Sequence, residues 1–176
     1  MQKKISAFEI ALSAIACAFS TLFMSLGVLN DFLLATGYVA GCFAMMLPLS
    51  KGFIVGDVLA YAATVLLTFL FGGIAVPWRV LPFVLFFGLH PLLNHLELRF
   101  RWNKILLLAV KVVWFDVTAY LVWRFLFGMT TSFDWVDEYI LPVIAVGGSL
   151  FFVAYDFCIF RCQCAVDKLI ARIDKK

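Results

Sequence analysis

The chain has 176 residues, of which 65% are hydrophobic and 14% are charged, with a mean hydropathy of +1.04 and a formal net charge of +3. A water-soluble globule of this composition would lack the polar side chains that its surface needs. The same bias leaves no separate soluble domain for catalysis or regulation. The composition therefore indicates an all-α polytopic membrane protein.

Six apolar segments are each long enough to cross a bilayer, which requires about 20 mostly apolar residues. The first is too long for the apolar core of a secretory signal peptide, so we expect it to remain as a span. Residues 1–176 are therefore predicted to form one six-span domain, with transmembrane helices near residues 7–29, 32–50, 53–76, 80–96, 105–128 and 139–160.

Lysine and arginine positions predict the orientation, because short basic loops stay on the cytoplasmic side. With both termini cytoplasmic, most of the 14 basic residues lie inside, Arg79 lies outside, and Lys111 and Arg124 fall within the fifth span. The inside set is Lys3, Lys4, Lys51, Arg99, Arg101, Lys104, Arg161, Lys168, Arg172, Lys175 and Lys176. This bias explains the net charge without a nucleic-acid partner and predicts a multi-pass protein of a cell membrane, of the bacterial plasma-membrane type.

Small side chains follow one face of the first span. Their spacing alternates between four and three residues, which keeps them on a narrow strip of a helix. Such a strip lets two membrane helices approach closely, either within the same bundle or with another protein. The strip consists of Ala7, Ala11, Ala14, Ala18, Thr21 and Ser25.

The chain has six short spans, predicted cytoplasmic termini and the paired motifs Ala7-x-x-x-Ala11 and Ala14-x-x-x-Ala18. In these features it resembles the S components of energy-coupling-factor (ECF) vitamin transporters. The resemblance implies a substrate-binding subunit that captures a micronutrient near the outer surface. It also implies that the alanine face docks on a membrane-embedded coupling subunit driven by two cytoplasmic ATPases. No residue pattern assigns one vitamin to this chain.

Placing an ionisable residue inside a span costs free energy, so such residues are functional candidates by default. Lys111 is predicted to form a structural ion pair with either Asp57 or Asp156, which would fix the packing of helices three, five and six. A proton or cation pathway through these carboxylates is the rival interpretation.

The fourth span contains Pro82, Gly88 and Pro91, which predict a bend. His90 and Asn94 share a face at i and i+4, and their expected role is packing and hydrogen bonding.

The fifth span carries a polar and aromatic face toward the outside. Asp116, Tyr120, Trp123 and Arg124 follow at steps of four, three and one. These side chains could line a pocket for a planar, partly anionic ligand, or they could form the aromatic belt of the membrane interface. Outer turns would complete the pocket with Asn30, Trp78, Arg79 and Trp135.

Signals for other chemistry are missing. The sequence has no phosphate-binding loop, no His-Glu-x-x-His and no Gly-x-Ser-x-Gly. No histidine lies near Cys158, Cys162 and Cys164 in the sequence, so we expect these residues to be plain thiols and not a metal site. We predict a non-enzyme without a cofactor, whose energy would come from partner ATPases.

Two classes of function therefore stay open. The first is a substrate-binding subunit, embedded in the lipid bilayer, of an ATP-driven uptake transporter that captures a small planar ligand from the outer face. The second is a stand-alone membrane protein, either a small secondary transporter or channel that uses Asp116, Lys111 and Asp57, or a scaffold that associates with itself through the alanine face.

Overall fold

The computed structural model describes residues 5–100, 103–126 and 138–174. Over these ranges the chain is helical and contains no strand. Six helical segments are long and apolar enough to cross a membrane, so the predicted all-α, six-span architecture is confirmed. The segments are Ala7–Leu29, Asp31–Leu49, Ile54–Gly73, Pro77–Phe100, Lys104–Arg124 and Ile140–Ile173.

Each span contains one main α-helix, and several include short irregular turns. The main helices are α1 (Ala7–Leu29), α2 (Leu34–Leu49), α3 (Ile54–Thr68), α4 (His90–Phe100), α5 (Lys104–Leu126) and α6 (Ser149–Ile173). Tight 3-10 turns form at Asp31–Leu33 and Pro77–Arg79. Wider π-helical turns form at Phe69–Gly73, Phe83–Phe87 and Val143–Gly148.

Helix α1 begins with a reciprocal cap and packs closely on α2. Ser6 Oγ accepts from the Glu9 backbone N–H at 3.1 Å, and Glu9 Oε2 accepts from the Ser6 N–H at 2.8 Å. Farther along, a Cβ added to Gly37 would lie 2.8 Å from the backbone oxygen of Phe23. Glycine therefore allows the backbones of α1 and α2 to touch.

Helix α2 is the central helix, because it contributes to both buried clusters. On one side Tyr38 and Met45 join residues of α1, α3 and the fourth span, and on the other side Cys42 and Met46 join residues of the fourth span and α6. The outer surfaces of the bundle expose large apolar side chains, which lie on α1, α3, α5 and α6 alike. That surface suits a lipid environment.

In the fourth span, where proline and glycine predict a bend, the helix is interrupted at Gly88 and Leu89, between the π-helical turn and α4. A Cβ on Gly88 would lie 2.7 Å from the Tyr61 ring, so this glycine also allows α3 to approach. In the third span, Gly72 has a φ of +130°, a conformation that side-chain-bearing residues rarely adopt.

Contacts of Lys51 show which chain segments lie together. The Lys51 ammonium pairs with Asp174 and lies 5.7 Å from the centre of the Phe8 ring. The start of α1, the turn between α2 and α3, and the end of α6 are therefore neighbours at one end of the bundle. We call this the basic end, since Lys51, Arg99 and Lys168 all belong to it. Its cytoplasmic location remains a prediction from the charge bias.

The sixth helical segment is longer than predicted. It continues to Ile173 and has 34 residues, whereas the predicted span stops at residue 160. At about 1.5 Å per residue it exceeds the roughly 30 Å hydrocarbon core of a bilayer. The last turns of α6 therefore extend beyond the apolar part of the span.

Candidate functional site

The predicted face of α5 is present and lies against the start of α6. Ser149 Oγ donates to Asp116 Oδ2 at 2.9 Å, and Gly148 lies beside the same carboxylate. The rings of Tyr120 and Trp123 are neighbours, with centroids 6.1 Å apart. Arg124 is exposed at the C-terminal end of this face and takes part in a further interaction.

Two polar atoms on this face are buried and have no hydrogen-bond partner in the part of the chain that the structure describes. They are Asp116 Oδ1, an acceptor, and Trp123 Nε1, a donor. Their residues are seven positions apart, or about 10 Å along the helix. Because unmade hydrogen bonds of buried groups cost free energy, a donor and an acceptor left open on one face suit a polar ligand.

Arg79 belongs to a different set of contacts. Its guanidinium pairs with Asp31 at 2.5 Å and donates to the backbone oxygen of Val28 at 2.8 Å. Tyr38 Oη donates to the Arg79 carbonyl at 2.6 Å. These bonds tie the start of the fourth span to α1 and α2, so the described guanidinium contacts are structural.

Two further residues of the predicted outer pocket, Asn30 and Trp78, lie in turns of other spans. Asn30 Oδ1 accepts from the Phe32 backbone N–H at 3.0 Å and caps the turn before α2. Trp78 is 36% exposed in the turn beside Arg79. Trp135 lies outside the described residues. The candidate ligand face therefore reduces to Asp116, Tyr120 and Trp123, with Arg124 at its edge.

A second polar site is buried between α4, α5 and α6. Lys111 Nζ donates to Asn94 Oδ1 at 2.6 Å, to Glu97 Oε2 at 2.6 Å and to Asp156 Oδ1 at 3.3 Å. The three donors of the ammonium are therefore all used. His90 Nε2 lies 2.8 Å from the same Asp156 oxygen, and the imidazole donates because an ionised carboxylate only accepts. We call these five residues the ionic cluster.

The ionic cluster is shielded from solvent. The side chains of His90 and Lys111 are 0% and 1% exposed, while those of Glu97 and Asp156 are 12% and 16% exposed. Both carboxylates border a groove of about 360 Å³ between α5 and α6. With a neutral imidazole, the cluster contains one ammonium and two carboxylates. Each charged group contacts a group of opposite charge, and the net charge of the cluster is negative.

The aromatic neighbours of His90 hold its ring in place. Phe86 and Tyr155 each have ring centroids 5.2 Å from the imidazole and are nearly parallel to it. Tyr155 in turn shares a hydrogen bond of 3.3 Å with Cys42 on α2. The cluster is therefore joined to the central helix.

Sequence reasoning named Lys111 and Asp156 as possible partners, and the structure brings them together. It does not bring Asp57 to Lys111. Asp57 is 1% exposed near the start of α3, and its Oδ1 has no hydrogen-bond partner. Glu97 was missed, although it continues the face of His90 and Asn94 at i+7 and that spacing could have identified it.

The alanine face of α1 points away from the bundle. Ala7, Ala11, Ala14 and Ala18 are all exposed, while the opposite face, including Leu12 and Ala16, is buried. Thr21 is buried and Ser25 is half-buried, so the C-terminal continuation of the strip packs within the chain. Packing inside this bundle therefore does not account for the four alanines.

Comparisons of the chain with protein-family models, with curated proteins and with solved structures found no match.

Proposed function

We propose that this chain is the substrate-binding membrane subunit of an ATP-driven micronutrient transporter. The observation that carries the proposal is the exposed alanine face of α1, formed by Ala7, Ala11, Ala14 and Ala18. Lipid tails give no reason to clear a helix face of large side chains. A partner helix does, because small residues let two backbones approach and gain dispersion contacts.

The partner would be the membrane-embedded coupling subunit that the resemblance to ECF S components implies, together with two cytoplasmic ATPases. The sequence contains no nucleotide-binding loop of its own. ATP-driven uptake by this chain therefore requires a separate motor, and the alanine face would transmit its movement.

The substrate would bind on the outer part of α5. The aromatic rings of Tyr120 and Trp123 offer stacking surfaces for a small planar ligand. Asp116 Oδ1 and Trp123 Nε1 offer an acceptor and a donor that none of the described residues satisfies. Arg124 lies where it could meet an anionic group, since it is exposed at the end of the same face.

Mass spectrometry of small molecules extracted from the purified protein tests the binding role. The wild-type protein, purified in mild detergent, should retain one small planar metabolite. Asp116→Asn and Trp123→Phe should each reduce its occupancy, since the first weakens the acceptor and the second removes the N–H donor while keeping a ring. Tyr139→Phe, at a position 53% exposed, is the control and should retain it. Equal occupancy in all variants would contradict the proposed face.

Bulky substitution of the alanine face separates docking from binding. Ala14→Trp should abolish uptake while leaving metabolite retention unchanged, and Ala109→Trp, at an exposed alanine of α5, should affect neither. Loss of folding in Ala14→Trp alone would favour internal packing instead. Self-association that this substitution disrupts, with no ATPase present, would favour the scaffold alternative.

The ionic cluster favours one second candidate, a stand-alone secondary transporter. Buried carboxylates paired with a lysine and a histidine inside a membrane are a common arrangement for ion coupling. Uptake by such a protein should follow the proton or sodium gradient and persist without any ATPase. Uptake that stops when the ATPases are removed would eliminate it.

A further inference from the structure

One face of α6 changes from apolar to basic along its length. The positions follow steps of four and three residues, so they form a continuous strip on the helix. All are exposed, in the order Leu150, Ala154, Phe157, Arg161, Ala165, Lys168 and Arg172. The strip therefore presents about 10 Å of apolar surface followed by about 16 Å of basic surface.

The basic part of this strip has no acidic partner within residues 5–100, 103–126 and 138–174. Over these ranges Arg161, Lys168 and Arg172 form no ion pair, and the described contact of Arg161 is with the Phe157 ring, 4.7 Å from its centre. Two other basic side chains do form ion pairs: Lys51 pairs with Asp174, and Arg79 pairs with Asp31. The three cations of α6 are thus available to an external anion.

The change from apolar to basic side chains occurs at the expected depth of a lipid headgroup. From Ile140 to Phe160 the sixth helical segment spans about 30 Å, which is the thickness of the hydrocarbon core. Arg161 is the first basic residue after that length. A groove of about 440 Å³ joins the two regions, lined by Phe157, Phe160, Arg161, Cys164, Ala165 and Lys168.

We propose that this strip binds an anionic phospholipid of the surrounding leaflet. The phosphate contacts Arg161 and Lys168, and an acyl chain lies along Phe157, Ala154 and Leu150. Charge complementarity selects an anionic head, because the groove is basic and has no carboxylate in its lining. The continuous apolar approach selects a lipid over a free phosphate or an acidic protein surface, neither of which would use it.

Lipid retention in nanodiscs tests the proposal. The full-length protein is reconstituted in phosphatidylglycerol or in phosphatidylcholine, extracted, and measured by native mass spectrometry and by thermal unfolding. We expect phosphatidylglycerol to remain bound and to raise the Tm relative to phosphatidylcholine. Arg161→Gln with Lys168→Gln should weaken retention by about thirtyfold, since each basic side chain near an anionic surface contributes about 1 kcal/mol.

Matched variants make the result specific. Arg99→Gln with Lys104→Gln removes the same charge at two exposed positions of the basic end on other helices, and it should retain the lipid. Ala165→Glu places a negative charge in the groove while keeping Arg161 on Phe157, and it should lose the lipid. Equal retention of both lipids, equal loss in both double variants, or the same Tm shift with inorganic phosphate alone would overturn the proposal. The proposal would also be overturned if the variant Arg161→Gln with Lys168→Gln kept the lipid but lost a co-purifying protein.

Discussion

Lys111 Nζ lies 2.6 Å from Glu97 Oε2, and the lysine side chain is only 1% exposed. This contact between α5 and α4 is the centre of the ionic cluster. It is also the clearest case in the chain of a charge that depends on its partner, because an ammonium cannot stay buried in an apolar bundle alone.

Replacing Lys111 by methionine should destabilise the protein strongly. The change leaves the carboxylates of Glu97 and Asp156 without their ammonium, and breaking a buried pair costs about 3–5 kcal/mol. Thermal unfolding in detergent, followed by fluorescence-detected size exclusion, should show a large fall in Tm. The double variant Lys111→Met with Glu97→Gln should recover part of the loss. Lys104→Met, at an exposed lysine of α5, should have little effect.

The two histidines should differ in their contribution to stability. His90→Gln removes a bond of 2.8 Å to Asp156 and a ring held between Phe86 and Tyr155. A hydrogen bond to a charged group contributes about 1.5–3 kcal/mol, so unfolding free energy should fall by about 2 kcal/mol. His95→Gln, at a half-buried position beside an open cavity, is the control. Equal effects would contradict the role assigned to His90.

Asp57→Asn should leave stability unchanged or increase it. The side chain is 1% exposed and its Oδ1 has no hydrogen-bond partner, so an ionised carboxylate is unfavourable there and the amide keeps the same shape. The midpoint of thermal unfolding of the two proteins measures the difference. A clear fall in the asparagine variant would mean that the charge of Asp57 has a stabilising role that these contacts do not explain.

Gly37→Ala should weaken the contact between α1 and α2. The added Cβ would lie 2.8 Å from the backbone oxygen of Phe23, so the helices must separate, and such overpacking costs about 1–3 kcal/mol. Gly147→Ala is the matched control, because a Cβ there meets no atom within 4 Å. If both substitutions changed the Tm equally, the close approach of the two backbones would not be the cause.

Much of the fold follows from hydropathy and helix length. The six spans could be predicted because membrane crossing depends on apolar length, and that length is visible in the sequence. The end of α6 could not be predicted in this way. Hydropathy falls after Phe160, but the chain stays helical to Ile173, since hydropathy measures preference for lipid and not for helix. Similarly, periodicity does not reveal that α2 is central, because this depends on how the helices cross.

The candidate sites were predictable in part. Helical periodicity placed Asp116, Tyr120 and Trp123 on one face, and the structure puts two unpartnered polar atoms there. Periodicity could not choose between Asp57 and Asp156 as partners of Lys111, since each requires a particular crossing of separate helices. Nor could it assign Arg79 to Asp31, because that pair joins two turns at the starts of separate spans.

The most direct test of the proposed function is purification of the tagged protein from its native membrane in mild detergent, with identification of the proteins that remain bound. The account predicts a membrane coupling subunit and two ATPases with the wild type. It predicts their loss from Ala11→Leu with Ala14→Leu, and their retention by Ala62→Leu with Ala109→Leu, which changes two exposed alanines on other helices. A folded protein that brings no ATPase, or one whose partners survive the first double substitution, would contradict it.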